Sequence, residues 1–276
     1  MLVARYWLLL CLAQGLISGV CPTDGWGQMI VAHRGASYDA PENTLAAFRL
    51  AWEQDSDGIE GDFYLTADDQ IVCIHDRDTE RTGGRKRVVE DSTLAELRSL
   101  EYGGWKGPQW EGESIPTLQQ VLETVPKGKL FVIELKSRQS IAPFLAAELR
   151  RLNTRGIDLL IISFDAPTVK ACRELMPTVR AHWLTKFNEK TGSPTPAQIA
   201  ETVRECGAAG VGMQGKRNVI DAEFVADLRA HGCNEFHVWT IDSIGDAACF
   251  QDLGAIGITT NLPRVIGDAI REPVSR

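Results

Sequence analysis

Polar residues that could do chemistry recur where short apolar segments of this sequence end. Seven of them stand at or near such ends: His33, Arg34, Glu60, Asp62, His75, Glu134 and Lys136. Residues two apart on a β-strand point to the same side. Glu60 therefore shares a face with Asp62, and Glu134 shares a face with Lys136.

These residue types together indicate one kind of reaction. Three neighbouring carboxylates repel one another, and a divalent cation relieves that repulsion. Oxygen ligands favour Mg²⁺ or Ca²⁺, whereas a zinc site contains more His or Cys. Two imidazoles can act as general base and general acid, and Arg34 and Lys136 suit a phosphoryl anion.

Each group taken singly has a structural explanation, such as a loop cap or an ion pair. Their concurrence at strand ends favours metal-assisted cleavage of a phosphate ester.

The order of predicted elements indicates what positions these groups. Eight strand-like segments alternate with helical spacing: QMIVAH, GIEGDFYL, KLFVIELK, LLIISF, RAHWLT, AGVGMQ, EFHVWTI and AIGITT. Helices are predicted over 44–54, 118–124, 141–153, 167–175, 197–206, 222–231 and 243–253. Eight such units in about 250 residues predict an α/β fold, a closed (β/α)₈ TIM barrel, whose active site lies at the carboxyl ends of the strands. An open doubly wound sheet is the alternative, but no GxGxxG opens the first helix.

One segment interrupts this alternation. Residues 76–115 are polar, contain Gly-rich turns, and are too long for an ordinary loop between a strand and a helix. We interpret them as a small insertion after the second strand, packed over one end of a barrel domain that spans residues 28–272.

Several motifs resemble the glycerophosphodiester phosphodiesterase family. They are VAHRGASYDAPENTLAAF, GIEGDFYLTADDQIVCIHD, IPTLQQVL and VIELK, followed by weaker likeness in IISF, HVWTID and GITTNLP. The resemblance implies a (β/α)₈ barrel, a metal held by Glu60, Asp62 and Glu134, and acid/base roles for His33 and His75. It implies that Arg34 and Lys136 bind the phosphate of a small-molecule substrate. Glu42 would lie near the metal, with direct ligation left open.

The implied reaction is hydrolysis of a glycerophosphodiester to glycerol 3-phosphate and an alcohol, with Ca²⁺ or Mg²⁺ as cofactor. Trp239 is expected to line the substrate site, with core packing as the alternative. The family commonly has aspartate where this chain has Asn261, and we expect that difference to affect a local loop rather than catalysis. A lysophospholipase D or sphingomyelinase D-like activity is an alternative. Another is an exported ligand-binding barrel that has lost catalysis.

Charge and the N-terminus bound the remaining functional classes. The 276-residue chain has 29 Lys plus Arg against 37 Asp plus Glu, a net charge of −8, which argues against a nucleic-acid binder.

Residues 1–20 have one charge, Arg5, and an apolar stretch of about fifteen residues, as in a secretory signal peptide. This predicts export and no stable membrane span in the mature chain; the alternatives are an uncleaved anchor or a wrongly assigned start. In an exported protein, Cys206 and Cys233 could form a disulfide.

Overall fold

Eight parallel strands close into a ring. The computed structural model describes residues 28–188, 190–191 and 193–271. Its strands are β1 Met29–His33, β2 Gly58–Leu65, β3 Ile71–Cys73, β4 Leu130–Leu135, β5 Asp158–Ser163, β6 Arg180–Thr185, β7 Gly210–Gln214, β8 Phe236–Trp239 and β9 Gly257–Thr260. Strand β1 pairs with both β2 and β9, which closes the ring, and β3 pairs antiparallel with the far end of β2. The predicted (β/α)₈ barrel is confirmed.

Helices follow the strands on the outside of the barrel. They are α1 Leu45–Glu53, α2 Glu80–Gly83, α3 Leu94–Arg98, α4 Leu118–Leu122, α5 Ile141–Arg151, α6 Ala166–Leu175, α7 Pro196–Cys206, α8 Ala222–Ala230, α9 Ile244–Asp252 and α10 Pro263–Arg271. The seven helices expected from hydrophobic spacing are present, with ends that agree within two residues. Local sequence explains their starts: the side chain of Thr44 caps α1, that of Asp165 caps α6, and Thr195 forms a capping box with Gln198 before α7.

The interior of the barrel is filled by apolar side chains beneath one polar end. Val31, Val132, Leu160 and Leu184 belong to this inner core. Gly212 leaves room for a large neighbour, since a Cβ there would lie 2.4 Å from the His237 ring. The small residue on β7 therefore lets an imidazole from β8 lie inside the barrel.

The segment from residue 76 to residue 115 folds into short elements beside the β2–β3 pair. It contains α2 and α3, and its buried side chains Val89, Leu97 and Ile115 pack with Tyr64 and Val72. This local core explains how a polar segment of this length stays ordered next to the barrel. The segment is the small insertion expected after the second strand.

Three expectations concern a disulfide, a membrane span and the N-terminal segment. Cys206 and Cys233 are free, buried thiols, so the open possibility of a disulfide between them is not realised. Among the described residues, no helix has the length and apolar character needed to cross a membrane. The predicted signal peptide, residues 1–20, lies outside the described residues.

Candidate active site

The strand ends bring the predicted acidic residues together. His33 on β1 is registered with Glu60 on β2, and Asp62 on β2 is registered with Glu134 on β4. Neighbouring parallel strands end at the same rim of a barrel. Residues that are up to 101 positions apart in sequence therefore lie at the same rim of the barrel.

Glu60, Asp62 and Glu134 form a compact carboxylate group. One oxygen from each lies within 4.8 Å of the others, and the residues are 2, 1 and 9% exposed. Burial and the charge of Asp62 raise the pKa of Glu60 well above its usual value and that of Glu134 to about 7. Burial alone would raise the pKa of Asp62, but Lys136 and Arg34 hold it below its usual value.

This group fits a hard divalent cation. Glu60 Oε1 is buried and accepts no hydrogen bond from any described residue. An oxygen without a donor, close to two other carboxylates, is costly unless a cation balances it. The donors are all oxygens, as Mg²⁺ and Ca²⁺ prefer.

Two cations border the carboxylates. Arg34 donates from its backbone N–H to Glu60 Oε2 at 3.0 Å, and its Nε lies 3.2 Å from Asp62 Oδ2. Lys136 Nζ donates to Glu134 Oε1 at 2.8 Å and lies 3.3 Å from Asp62 Oδ1. The turn after His33 depends on Gly35, whose φ is +78° and whose position would place a Cβ 2.5 Å from the backbone of Ala47.

His33 is oriented by an amide. Its Nδ1 lies 2.7 Å from Asn261 Oδ1, and Asn261 Nδ2 donates to Asp242 Oδ2 at 2.6 Å. The carboxylate fixes the amide orientation, so the amide oxygen faces His33 and accepts from an Nδ1–H. That tautomer leaves a lone pair on His33 Nε2. Burial, with the charge of Arg34, lowers the pKa of His33 to about 4.

This contact corrects the expectation for Asn261. The sequence interpretation confined its effect to a local loop, because it lies far along the chain from the metal-binding pattern. In the structure it contacts a predicted catalytic histidine directly, because β9 and β1 are neighbours in the closed barrel.

His75 is held by a different chain of contacts. Its Nδ1 lies 2.7 Å from Asp76 Oδ1, and Arg81 Nε donates to Asp76 Oδ2 at 2.6 Å. The same guanidinium donates to both oxygens of Glu42 at 2.8 Å, and Arg34 Nη1 donates to Glu42 Oε1 at 2.9 Å. Burial and the charge of Lys136 lower the pKa of His75, while Asp62 and Asp76 oppose that shift.

Glu42 therefore links two arginines. The compact carboxylate group contains Glu60, Asp62 and Glu134 and does not include Glu42. The sequence interpretation missed Arg81, because no local pattern in a polar insertion distinguishes one arginine from its neighbours.

A cavity of about 260 Å³ opens among these groups. His33, His75 and Lys136 line it together with Trp239, as the sequence predicted for Trp239. Phe164, Lys186 and His237 also line it and were not foreseen, since each follows or lies in a strand with no reactive pattern of its own. The site thus combines a carboxylate group, two cations and two differently partnered imidazoles around one small cavity.

Comparison with known proteins agrees with this geometry. The sequence profile described as "Glycerophosphoryl diester phosphodiesterase family" matches residues 33–265. A Bacillus subtilis protein named as a candidate glycerophosphodiester phosphodiesterase, YhdW, is 36% identical over 240 residues, which cover 86% of this chain and 96% of that protein. A glycerophosphodiester phosphodiesterase of Caldanaerobacter subterraneus is 31% identical over 248 residues, with 88% and 98% covered.

A solved structure shows the same architecture. An Oleispira antarctica phosphodiesterase, determined in complex with the product sn-glycerol-3-phosphate, superposes with a TM-score of 0.77 at 26% identity. The match covers 90% of this chain and 98% of that one. From the profile match, the relatives and the arrangement of its site, the chain belongs to the glycerophosphoryl diester phosphodiesterase family.

Proposed function

We propose that the protein hydrolyses small glycerophosphodiesters to glycerol 3-phosphate and an alcohol, using a divalent cation and two histidines. The proposal is supported chiefly by two imidazoles with unlike partners on one cavity that Glu60 and Glu134 of the carboxylate group also line. Glu60, Asp62 and Glu134 would hold the cation. When bound, it supplies positive charge that stabilises a phosphoryl group gaining negative charge.

The two cationic side chains bind and orient the phosphodiester. Arg34 and Lys136 line the cavity on the side of the carboxylate group, and both offer N–H donors to phosphoryl oxygens. Their charges stabilise negative charge that develops on those oxygens.

The unlike partners divide the acid and base roles. His33 has a neutral amide at Nδ1 and a pKa lowered to about 4, so its Nε2 is free to accept a proton from the nucleophile. The nucleophile is either water or a neighbouring hydroxyl of the substrate; in the second case the cyclic phosphodiester that forms must then be opened by water to give glycerol 3-phosphate. His75 has the Asp76 carboxylate at Nδ1, which favours an imidazolium that donates its proton to the leaving alkoxide.

The cavity size favours substrates without an acyl chain. Its volume of about 260 Å³ is near the lower end of small-molecule sites, which run from about 300 to 1,000 Å³. A lysophospholipase D or sphingomyelinase D-like activity requires room for a lipid chain, so it remains the second candidate.

The test is release of glycerol 3-phosphate from glycerophosphocholine, with Mg²⁺, Ca²⁺ or a chelator, in the wild type and His75→Ala. We expect release that requires the cation and falls by about 100-fold or more in His75→Ala. The exposed His231→Ala is the matched control and should leave the rate unchanged. No release from any glycerophosphodiester by folded, cation-supplied protein would reject the proposal, and release from a lysophospholipid alone would select the second candidate.

We also propose that residues 1–20 direct export and are removed. The composition of that segment supports this proposal. Mass spectrometry of the N-terminus after expression in a bacterial host, combined with cell fractionation, tests it. Intact residues 1–20 on protein in the cytoplasm would contradict it.

A further inference from the structure

The substrate cavity has an enclosed part and an open part. Ile162, Leu184, His237 and Thr259 line the enclosed part and are all buried. Phe164, which follows β5, and Lys186, which follows β6, line the open part; both are exposed, Phe164 by 39%. A substrate that spans the cavity therefore has one arm in a closed environment and the other at the rim.

The two groups esterified to the phosphate of a glycerophosphodiester also differ, since one is constant and the other is variable. The glycerol arm is small, uncharged and common to all such compounds, so it suits the enclosed part, where the His237 ring and the Thr259 hydroxyl can meet its hydroxyls. The head group varies in size and charge, so it suits the open rim. The residues at the rim then decide which head groups are accepted.

Three side chains form this rim surface. The rings of Phe164 and Trp239 meet edge to face, with centroids 5.5 Å apart and planes at 88°. Lys186 Nζ lies 5.2 Å from the centroid of Phe164 and 5.7 Å from that of Trp239. Both distances are in the range of cation–π contact.

Among the described residues, no acid pairs with the ammonium of Lys186. Across the part of the chain that the structure describes, no carboxylate oxygen lies within 4.0 Å of its ammonium, although such pairs occur at many other lysines and arginines. Its ammonium contacts the two aromatic rings instead. The ammonium is therefore available to attract an anion at the rim.

A pair of aromatic faces without a resident cation would attract a quaternary ammonium such as choline. Here Lys186 already occupies the position over both rings, and its charge repels a second cation. We infer that Lys186, placed by Phe164 and Trp239, selects glycerophosphodiesters whose leaving alcohol is anionic over those whose leaving alcohol is cationic. This inference rests on the proposed function and adds the class of substrate to it.

The experiment compares three substrates that differ in head-group charge. They are glycerophosphocholine, glycerophosphoglycerol and bis(glycerophospho)glycerol, whose leaving groups are cationic, neutral and anionic. Initial rates of glycerol 3-phosphate release give kcat/KM for each in the wild type, Lys186→Met, Lys186→Glu and Lys186→Arg. Lys170→Met is the matched control, since Lys170 is an exposed lysine on α6.

We expect the wild type to prefer the anionic substrate over the cationic one. Lys186→Met should lower that ratio by about two- to fivefold, the scale of one partly exposed charge contact. Lys186→Glu should reverse the order, and Lys186→Arg should preserve it. Lys170→Met should leave all three values unchanged.

Two failures are distinguishable. If the wild type hydrolyses all three substrates and their ratio is the same in Lys186→Met and Lys186→Glu, the inference about Lys186 is wrong and the proposed function stands. If the folded wild type with cation hydrolyses none of the three, the proposed function is wrong and the inference falls with it.

Discussion

At the scale of single residues, the two histidines differ in what holds their Nδ1 atoms. An amide oxygen of Asn261 faces His33, and a carboxylate oxygen of Asp76 faces His75. Each acceptor favours the protonated ring, but the carboxylate brings a negative charge that the amide lacks. This difference supports the two roles proposed for the histidines.

The substitution Asn261→Asp should shift the acid limb of the pH profile of kcat/KM. A carboxylate at Nδ1 favours the imidazolium, so the pKa of His33 should rise above about 4. A base with a raised pKa is protonated at higher pH, so the acid limb of kcat/KM should move to higher pH. Measurement of kcat/KM from pH 4 to pH 8 checks this.

The control for that variant is Asn234→Asp, which makes the same change at an exposed position before β8, at the opposite end of the barrel. Its profile should match the wild type. Superimposable acid limbs for Asn261→Asp and the wild type would contradict the role assigned to Asn261.

Glu60→Gln should have opposite effects on stability with and without cation. In chelator, the variant should have a higher melting temperature than the wild type, because it removes one of three crowded, buried carboxylates. With Mg²⁺ or Ca²⁺, the wild type should gain stability by binding, while the variant should bind about tenfold or more weakly.

Thermal unfolding at several cation concentrations measures both effects, and Glu223→Gln, an exposed position on α8, is the control. Equal cation-induced shifts in wild type and Glu60→Gln would exclude Glu60 as a ligand.

At the scale of elements, the segment that contains α2 connects two loops of the site. Arg81 lies on α2 and joins Asp76 after β3 to Glu42 in the loop before α1. Through these acids it reaches both His75 and Arg34. The insertion thus joins His75 and Arg34 in one network of contacts.

Arg81→Ala should therefore lower kcat and raise KM, with a loss in kcat/KM of about 10-fold or more, as for other partners that orient site residues. Arg81→Lys should recover only part of the loss, because an ammonium cannot donate in parallel to two carboxylates as a guanidinium does. Steady-state kinetics with glycerophosphocholine measures this. Arg85→Ala, an exposed arginine in the same segment, should behave as the wild type. Full activity in Arg81→Ala would show that the insertion does not orient the site.

At the scale of the whole molecule, the barrel interior contains a second pair of histidines. His182 on β6 and His237 on β8 lie with their Nδ1 atoms 3.0 Å apart, and His182 Nε2 is 3.4 Å from Glu235 Oε2, which also pairs with Arg180. Burial lowers the pKa of both histidines, and it does so most strongly at His237, where His182 adds to the effect. The folded barrel therefore disfavours the charged form of both rings.

Acid should consequently destabilise the fold through this pair. A histidine whose pKa is depressed by folding binds more protons in the unfolded chain, so its contribution to stability is present above about pH 6.5 and is lost as the pH falls. The unfolding free energy, from urea titration in chelator, should drop by about 1 to 2 kcal/mol between pH 7 and pH 5 because of these residues. The double variant His182→Gln/His237→Gln should lose less unfolding free energy over this pH range than the wild type. The exposed His231→Gln should lose as much as the wild type. Equal drops in the double variant and the wild type would assign the pH dependence elsewhere.

Local sequence patterns predicted the barrel and five of the candidate site residues named below. Strand and helix periods are properties of neighbouring residues, so the eight strands and seven helices followed from spacing alone. His33, Glu60, Asp62, Glu134 and Lys136 were identified because each lies within or directly after a predicted strand. The closed ring then placed them at one rim, as parallel strands require.

Which distant side chains meet at the cavity depended on the tertiary structure. Asn261 meets His33 across 228 positions of sequence, Arg81 joins two loops, and Lys186 meets the rings of Phe164, after β5, and Trp239, on β8. Such contacts depend on strand register and on closure of the barrel, which bring together residues that no local period relates. Local patterns in the chain were therefore enough to predict the fold and the class of chemistry, whereas the packing of distant residues set the partners of each histidine and the contacts at the cavity rim.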